Sequence, residues 1–255
     1  MYKRQLRNRR IGCSVSGIAQ FITNRGIDEL RTWLEEGYDT IQDWDKEYSD
    51  WFAIPKSIKT TSVKPSGTVS LLAGATPGLH YPESRFYTRR IRLSINSELV
   101  EPLKKAGYKI EPAFGSEEST LVVEIPVDVG EGIRTASELT IWEQFSIAAF
   151  LQRHWADNQV SCTVTFDPEK EGEQIPHVLN YYQYHLKGIS LFPRHDYGAY
   201  KQMPYEAIEE KEYNKQVKKL GKLSFGVIKN EEAEVDKFCN NESCEIPGLN
   251  VEENS

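Results

Sequence analysis

A run rich in Thr and Val, residues 58 to 64, is cut by Pro65-Ser66-Gly67-Thr68 and gives way to Val69, Leu71, Leu72 and Ala73. β-Branched residues suit a pleated strand, and the apolar stretch after the turn suits a short helix. The chain therefore switches from extended to helical period within a few residues, which predicts a strand-turn-helix unit. The same switch recurs downstream. Ile91, Leu93 and Ile95 alternate with Arg90, Arg92 and Ser94 over residues 87 to 95. Leu121, Val123, Ile125 and Val127 mark another strand, as do Val160, Cys162, Val164 and Phe166, and then Gly188 to Phe192. Helical spacing links Ile27, Leu30, Trp33 and Leu34, with Gly37 as the expected stop and an aromatic-rich connector through Trp44, Trp51 and Phe52 after it. Glu98 to Lys105 and 176 to 187 are further expected helices. The strongest is 140 to 154, where Thr140 and Glu143 spell a capping box and Ile141, Phe145, Ala148 and Ala149 share a face. Strands alternating with helices predict an α/β class. No fixed-period repeat is present.

After Gly226 the character changes. Glu231, Glu232, Glu234, Asp236, Glu242, Glu245, Glu252 and Glu253 crowd a stretch with few apolar residues. Such a segment buries too little surface to offset its ordering entropy. Residues 1 to 228 are thus expected to form the folded domain, and 229 to 255 a flexible tail. The net charge of −7 disfavours a nucleic-acid duplex as partner. The one basic cluster, Lys3, Arg4, Arg7, Arg9 and Arg10, lacks an interleaved aromatic ladder. No signal peptide opens the chain and no apolar run approaches a membrane span, so a soluble cytoplasmic protein is expected. In that setting four cysteines do not make a disulfide framework.

Four features could carry chemistry. The Pro65 to Ser70 turn would present free N–H groups at a helix start, which favours an anion, typically a phosphate. Gly67 lets the backbone approach a ligand, and Ser66, Thr68 and Ser70 add hydroxyls. Simple capping by Ser66 explains the same spelling. The loop Gly74 to Pro82 is irregular enough to hold a ligand, or to be a connector around a buried His80. The pair Cys239 and Cys244 sits in the acidic tail without a histidine, which fits a reversible dithiol better than a zinc site. Cys162 and Cys13 read as core thiols. His154, His177, His185 and His195 show no metal-ligand spacing. Arg89 and Arg90 suit either a phosphate or a solvated strand face.

The run Thr61 to Leu72, then Gly74 to Pro82, then Arg89-Arg90-Ile91-Arg92, closely resembles adenosylcobalamin-dependent (class II) ribonucleotide reductases, most of all the monomeric branch that reduces ribonucleoside triphosphates. Asn8-Arg9-Arg10-Ile11-Gly12, Asp157 to Asp167, Tyr197-Gly198-Ala199-Tyr200 and the Cys-x4-Cys tail add to the match. The resemblance implies an α/β barrel of two parallel half-sheets, of which this chain supplies most of the later half. It implies that Ser66, Gly67, Thr68 and Val69 hold substrate phosphates. Gly74, His80, Tyr81, Tyr197 and Gly198 would contact the cobalamin, and no side chain here would serve as a metal ligand. Cys239 and Cys244 would re-reduce the active site and be renewed by thioredoxin. The radical cysteine and the active-site cysteine pair would lie in an N-terminal remainder upstream of Met1, so the chain alone is expected to be inactive. The alternatives are a non-catalytic nucleotide- or cobalamin-binding module, and a redox adaptor acting through its tail.

Overall fold

The computed structural model describes residues 8–67, 69–194 and 201–224. In chain order the elements are β1 (Arg10–Ser14), α1 (Ile18–Arg25), α2 (Ile27–Trp51), β2 (Lys59–Ser62), α3 (Val69–Leu72), β3 (Phe86–Ser94), α4 (Val100–Lys105), β4 (Lys109–Pro112) and β5 (Thr120–Asp128). They continue with α5 (Ile141–His154), β6 (Thr163–Phe166), α6 (Pro168–Glu171), α7 (Ile175–Tyr182), β7 (Ser190–Pro193), β8 (Tyr205–Ala207) and α8 (Glu210–Val217). The chain divides into two compact units, 1–85 with 129–197, and 86–128 with 198–255.

The first unit carries the parallel strands. β1 pairs with β2, and β6 with β7. A lone parallel bridge, Val63 to Val160, links the end of β2 to the approach of β6. Helices between the strands supply the crossovers that parallel pairing requires. The four sheet strands of this unit form small, open pairs rather than a closed ring. Their shared core is Leu30, Leu34, Val63, Leu79, Leu151, Trp155 and Val160, with a second cluster of Ile141, Phe145, Val164, Phe166 and Val178.

Strand β2 buries polar side chains, and the Thr60 and Thr61 hydroxyls find partners, as buried polar groups tend to. Thr61 Oγ1 donates to the Trp155 carbonyl at 2.5 Å and accepts from the Asp157 amide at 2.9 Å. The Trp155 indole donates to the Ser62 carbonyl at 2.9 Å. The capping box of α5 is as the sequence spells it: Thr140 Oγ1 accepts from the Glu143 amide at 3.2 Å, and the Thr140 amide donates to Glu143 at 2.9 Å.

Gly37 is not a stop. Helix α2 runs on to Trp51, and the expected connector is helix. The apolar stripe continues past the glycine, because Tyr38 and Ile41 pack on the same core as Leu30 and Leu34. At Gly37 an added Cβ would sit 3.4 Å from the Trp155 ring, so the glycine admits the indole. Trp44, Trp51 and Phe52 are exposed. Cys13 also departs from the core reading. β1 is exposed along its whole length and has β2 as its sole strand partner among the described residues, so this thiol faces outward.

The second unit is an antiparallel sheet in the order β4-β5-β3-β8. β3 and β5 pair from Phe86 with Asp128 to Ser94 with Thr120. Leu93, Leu103 and Val123 are its core. Arg89 and Arg90 are not a solvated face. Arg89 is buried, with its guanidinium 4.4 Å from the Tyr205 ring centre. Arg90 bonds Glu124 at 2.9 Å and also pairs with Glu206. Both cations are thus neutralised or stacked within the sheet. No described helix is long and apolar enough to cross a membrane.

Candidate functional site

β1 and β2 run parallel, so their carboxyl ends lie together, and in open α/β sheets ligands bind beyond that edge. The chain leaves β2 through Val63 and Lys64 into the Pro65-Ser66-Gly67 turn. The Lys64 amide donates to Ser14 Oγ at 2.9 Å, which ties the turn to the end of β1. Ser66 has φ 44°, in the left-handed region that non-glycine residues avoid. Such strain persists where surroundings enforce it and is concentrated at functional sites. Contacts from three residues enforce it here. Ser70 donates to the Ser66 carbonyl through its amide at 3.1 Å and its hydroxyl at 2.5 Å. Ser66 Oγ lies 2.5 Å from Ser16 Oγ and accepts the Gly78 amide at 3.3 Å. A left-handed residue followed by right-handed backbone points successive amides to one side, a concave nest for an anion. The Gly67 and Val69 amides make no hydrogen bond to a described residue. Thr68 lies outside the described residues.

The loop from Gly74 to Pro82 packs back on this turn. Gly78 has φ 53°, and an added Cβ would stand 2.4 Å from the Lys64 carbonyl oxygen, so only glycine closes the contact. The first turn of α1 completes the cluster. The Gly17 amide donates to the Thr76 carbonyl at 2.9 Å, Gln20 Nε2 donates to the Gly74 carbonyl at 2.8 Å, and Gln20 Oε1 accepts the Thr76 amide at 2.8 Å. Ser14, Ser16, Gly17 and Gln20 were not singled out from sequence. The signal available was Ser-x-Ser-Gly directly after a strand, but β1 itself was unread.

His80 spends both ring nitrogens inside the fold. Nδ1 meets the Pro77 carbonyl at 3.2 Å and Nε2 accepts the Thr163 amide at 3.2 Å. This pattern requires the neutral Nδ1–H tautomer. Burial pushes the imidazole below its ordinary pKa, opposed by the Pro77 bond. Tyr81 is half-buried. Desolvation raises its phenol above the usual range, against the pull of the Arg134 guanidinium. Cys162 is buried, and burial pushes its thiol up to about 12. A thiol so placed is an inert core group.

A separate open cleft of about 890 Å³ lies where β6 and β7 end, lined by Trp142, Asp167, Glu171, Gln174 and Arg194 among others. Its lining holds Glu138, Asp167, Glu169 and Glu171 against Lys170 and Arg194, a balance that disfavours a phosphate. Glu171 is its structural hub. One carboxylate oxygen accepts the Ile141 amide at 2.8 Å, and the other accepts the Asp167 amide at 2.9 Å and Arg194 at 3.2 Å. No group of three or more His, Cys, Asp or Glu side chains that could hold a metal occurs among the described residues. Tyr197, Gly198, Cys239 and Cys244 lie outside those residues.

Comparison with known proteins matches this arrangement to one class. A crystal structure of a B-12 dependent (class II) ribonucleotide reductase superposes with a TM-score of 0.73 at 33% identity, over 86% of this chain and 34% of that one. The fold is therefore that of the class II reductases across the shared part. The "Adenosylcobalamin-dependent ribonucleoside-triphosphate reductase" of Euglena gracilis is 56% identical over 244 residues, which is 94% of this chain and 34% of that protein. The "Probable adenosylcobalamin-dependent ribonucleoside-triphosphate reductase" of Dictyostelium discoideum is 56% identical over 252 residues, 97% of this chain and 33% of its own length. The relative from Levilactobacillus brevis is 37% identical over 237 residues. The chain belongs to the adenosylcobalamin-dependent ribonucleoside-triphosphate reductase family. It spans about a third of the length of the curated relatives it matches. No family model matches it.

Proposed function

We propose that this chain is the phosphate-holding and electron-delivering part of a reductase that converts ribonucleoside triphosphates to deoxyribonucleotides with adenosylcobalamin. The observation that carries the reading is the strained Ser66 turn, with the Gly67 and Val69 amides open, at the carboxyl end of β2 in a chain of this family. Ser66, Gly67, Thr68 and Val69 hold the substrate phosphates. The parallel strands of the first unit are part of a barrel whose remaining strands come from the N-terminal remainder of the enzyme. Residues 1–228 belong to that catalytic body, and 229–255 to the segment that carries the shuttle dithiol.

The Gly74 to Tyr81 loop fits the cofactor as wall rather than as ligand. His80 has no nitrogen left for cobalt, so it offers a ring edge, beside the Gly74 backbone and the Tyr81 phenol. Tyr197 and Gly198, outside the described residues, would contact the same cofactor. Adenosylcobalamin, when bound, supplies the radical that starts the reaction.

Removing a ribose hydroxyl takes two electrons, which leaves a disulfide at a buried active site. A thiolate of the Cys239 and Cys244 pair attacks that disulfide and forms a mixed disulfide. The second tail thiolate resolves it, leaving two thiols in the active site and a disulfide in the tail. Thioredoxin returns the two electrons. The test is turnover of the full-length enzyme carrying Cys239→Ser. Thioredoxin-driven reduction should vanish while reduction driven by dithiothreitol, small enough to enter, should persist. Unchanged turnover with thioredoxin would refute the shuttle. The 255-residue chain by itself should reduce no ribonucleotide.

A further inference from the structure

The amino ends of β1 and β2 hold a second concentration of charge, far from the Ser66 turn. Lys59 opens β2, and its Nζ donates to the main-chain carbonyl of Asp157 at 2.7 Å. Lys187, from the segment before β7, donates its Nζ to that same carbonyl oxygen. Arg10 opens β1 and is the register partner of Lys59, so the two side chains leave the sheet on one side. The Arg10 side chain is exposed and makes no hydrogen bond or ion pair with a described residue. Two lysines from separate segments therefore share one acceptor, and the strand register sets Arg10 beside them.

Asp157 is the carboxylate beside them among the described residues, and it is already engaged. Asp157 Oδ1 accepts the Tyr38 hydroxyl at 2.9 Å, and Oδ2 accepts the Thr60 amide and hydroxyl, each at 3.0 Å. Those donors are neutral, and a carbonyl oxygen shared by two ammonium groups cancels no charge. Among the described residues, three positive groups and one negative leave the cluster two charges in excess. Like charges in contact repel unless a counter-ion sits among them. Lys187 registers this: burial lowers its pKa, and the neighbouring Lys59 and Arg10 lower it further against the pull of Asp157.

We propose that Arg10, Lys59 and Lys187 form a binding site for a phosphate-bearing anion. One carboxylate would leave the excess half neutralised, whereas a phosphate or polyphosphate group matches it. The lysines act as point charges and the Arg10 fork grips two oxygens. Lys59 and Ser66 are seven residues apart along extended chain, roughly 20 Å, so this site is distinct from the substrate turn. It does not depend on the reductase reading.

The test is trace acetylation of the 255-residue chain with lysine-resolved mass spectrometry, in the presence of inorganic tripolyphosphate, a ribonucleoside triphosphate or citrate. Tripolyphosphate should protect Lys59 and Lys187. In Arg10→Gln the concentration giving half protection should rise about tenfold or more, the loss of one charge-assisted contact, while Arg10→Lys should stay within a few-fold of the parent. Protection by the nucleotide at lower concentration than tripolyphosphate would support a nucleotide as the source, and equal protection would support the phosphate group alone. Acetylation of Lys59 and Lys187 at an unchanged rate would overturn the proposal. So would protection unaffected by Arg10→Gln, or protection by citrate as strong as by phosphate. Lys64, beside the Ser66 turn, reports separately on the substrate site, so either reading can fail alone.

Discussion

Two glycines in one loop separate the cost of backbone conformation from the cost of contact. Gly74 has φ 64° with nothing within 4 Å of an added Cβ, whereas Gly78 has φ 53° and would place its Cβ 2.4 Å from the Lys64 carbonyl oxygen. Gly74→Ala should cost only the left-handed penalty, about 1–2 kcal/mol. Gly78→Ala incurs the same penalty and adds overpacking against backbone, about 1–3 kcal/mol more. The expected total for Gly78→Ala is therefore about 2–5 kcal/mol. Urea denaturation measures both, as a fall in midpoint at unchanged slope. The clash should also push the loop off the turn and break the bond from the Gly78 amide to Ser66 Oγ. Gly78→Ala should accordingly weaken triphosphate binding at the turn, while Gly74→Ala leaves that bond in place. Equal destabilisation by the two substitutions, or a milder effect at Gly78, would refute the reasoning that the loop is shaped by its approach to Lys64.

Three further outcomes are expected. The folded-state pKa of His80 lies below its unfolded value, so the unfolded chain binds more protons and stability falls as pH drops below about 6.5; His80→Gln should flatten that part of a midpoint-versus-pH profile. In the native protein iodoacetamide should label Cys13, which is exposed, and spare Cys162, whose thiol is held up to about 12, as read by peptide mass spectrometry. Glu171→Ala removes the acceptor of two amides and leaves Arg194 without its carboxylate, and should cost about 3–5 kcal/mol in chemical denaturation.

What the sequence made legible was local. The capping box at Thr140, a strand over most of 87 to 95 and the turn after Lys64 each depend on neighbours in the chain, and each is present, although burial along that strand does not alternate and Ile95 is exposed. What it hid depends on distant partners. Gly37 reads as a helix stop because glycine is a poor helix former, yet it is retained mid-helix by Trp155, far downstream in sequence. Arg89 reads as a surface residue because its burial rests on Tyr205 and the Pro204 carbonyl. Cys13 reads as core because Ile11 and Val15 flank it, but β1 lies at a sheet edge and Ile11 is 47% exposed. The candidate site divides in the same way. Ser66 and Gly67 are visible as a turn, whereas Ser14, Ser16 and Gln20 acquire a role only once β1 lies beside β2.

The parallel pairing has a consequence for both ends of these strands. It brings Arg10 beside Lys59 at the amino end and Ser14 beside Ser62 at the carboxyl end. At the carboxyl end the backbone supplies the positive character, through open amides on a strained turn that no side-chain charge need support. At the amino end Lys59 and Lys187 both donate to the Asp157 carbonyl, and cationic side chains supply the positive character. The two proposed anion sites, built from opposite resources, should respond differently to salt. Exposed side-chain charges are screened over a Debye length of about 8 Å at physiological ionic strength, so binding at Arg10, Lys59 and Lys187 should weaken steeply as salt rises. Amides that bond directly to the anion depend on contact geometry, so the Ser66 turn should keep its ligand better across the same range.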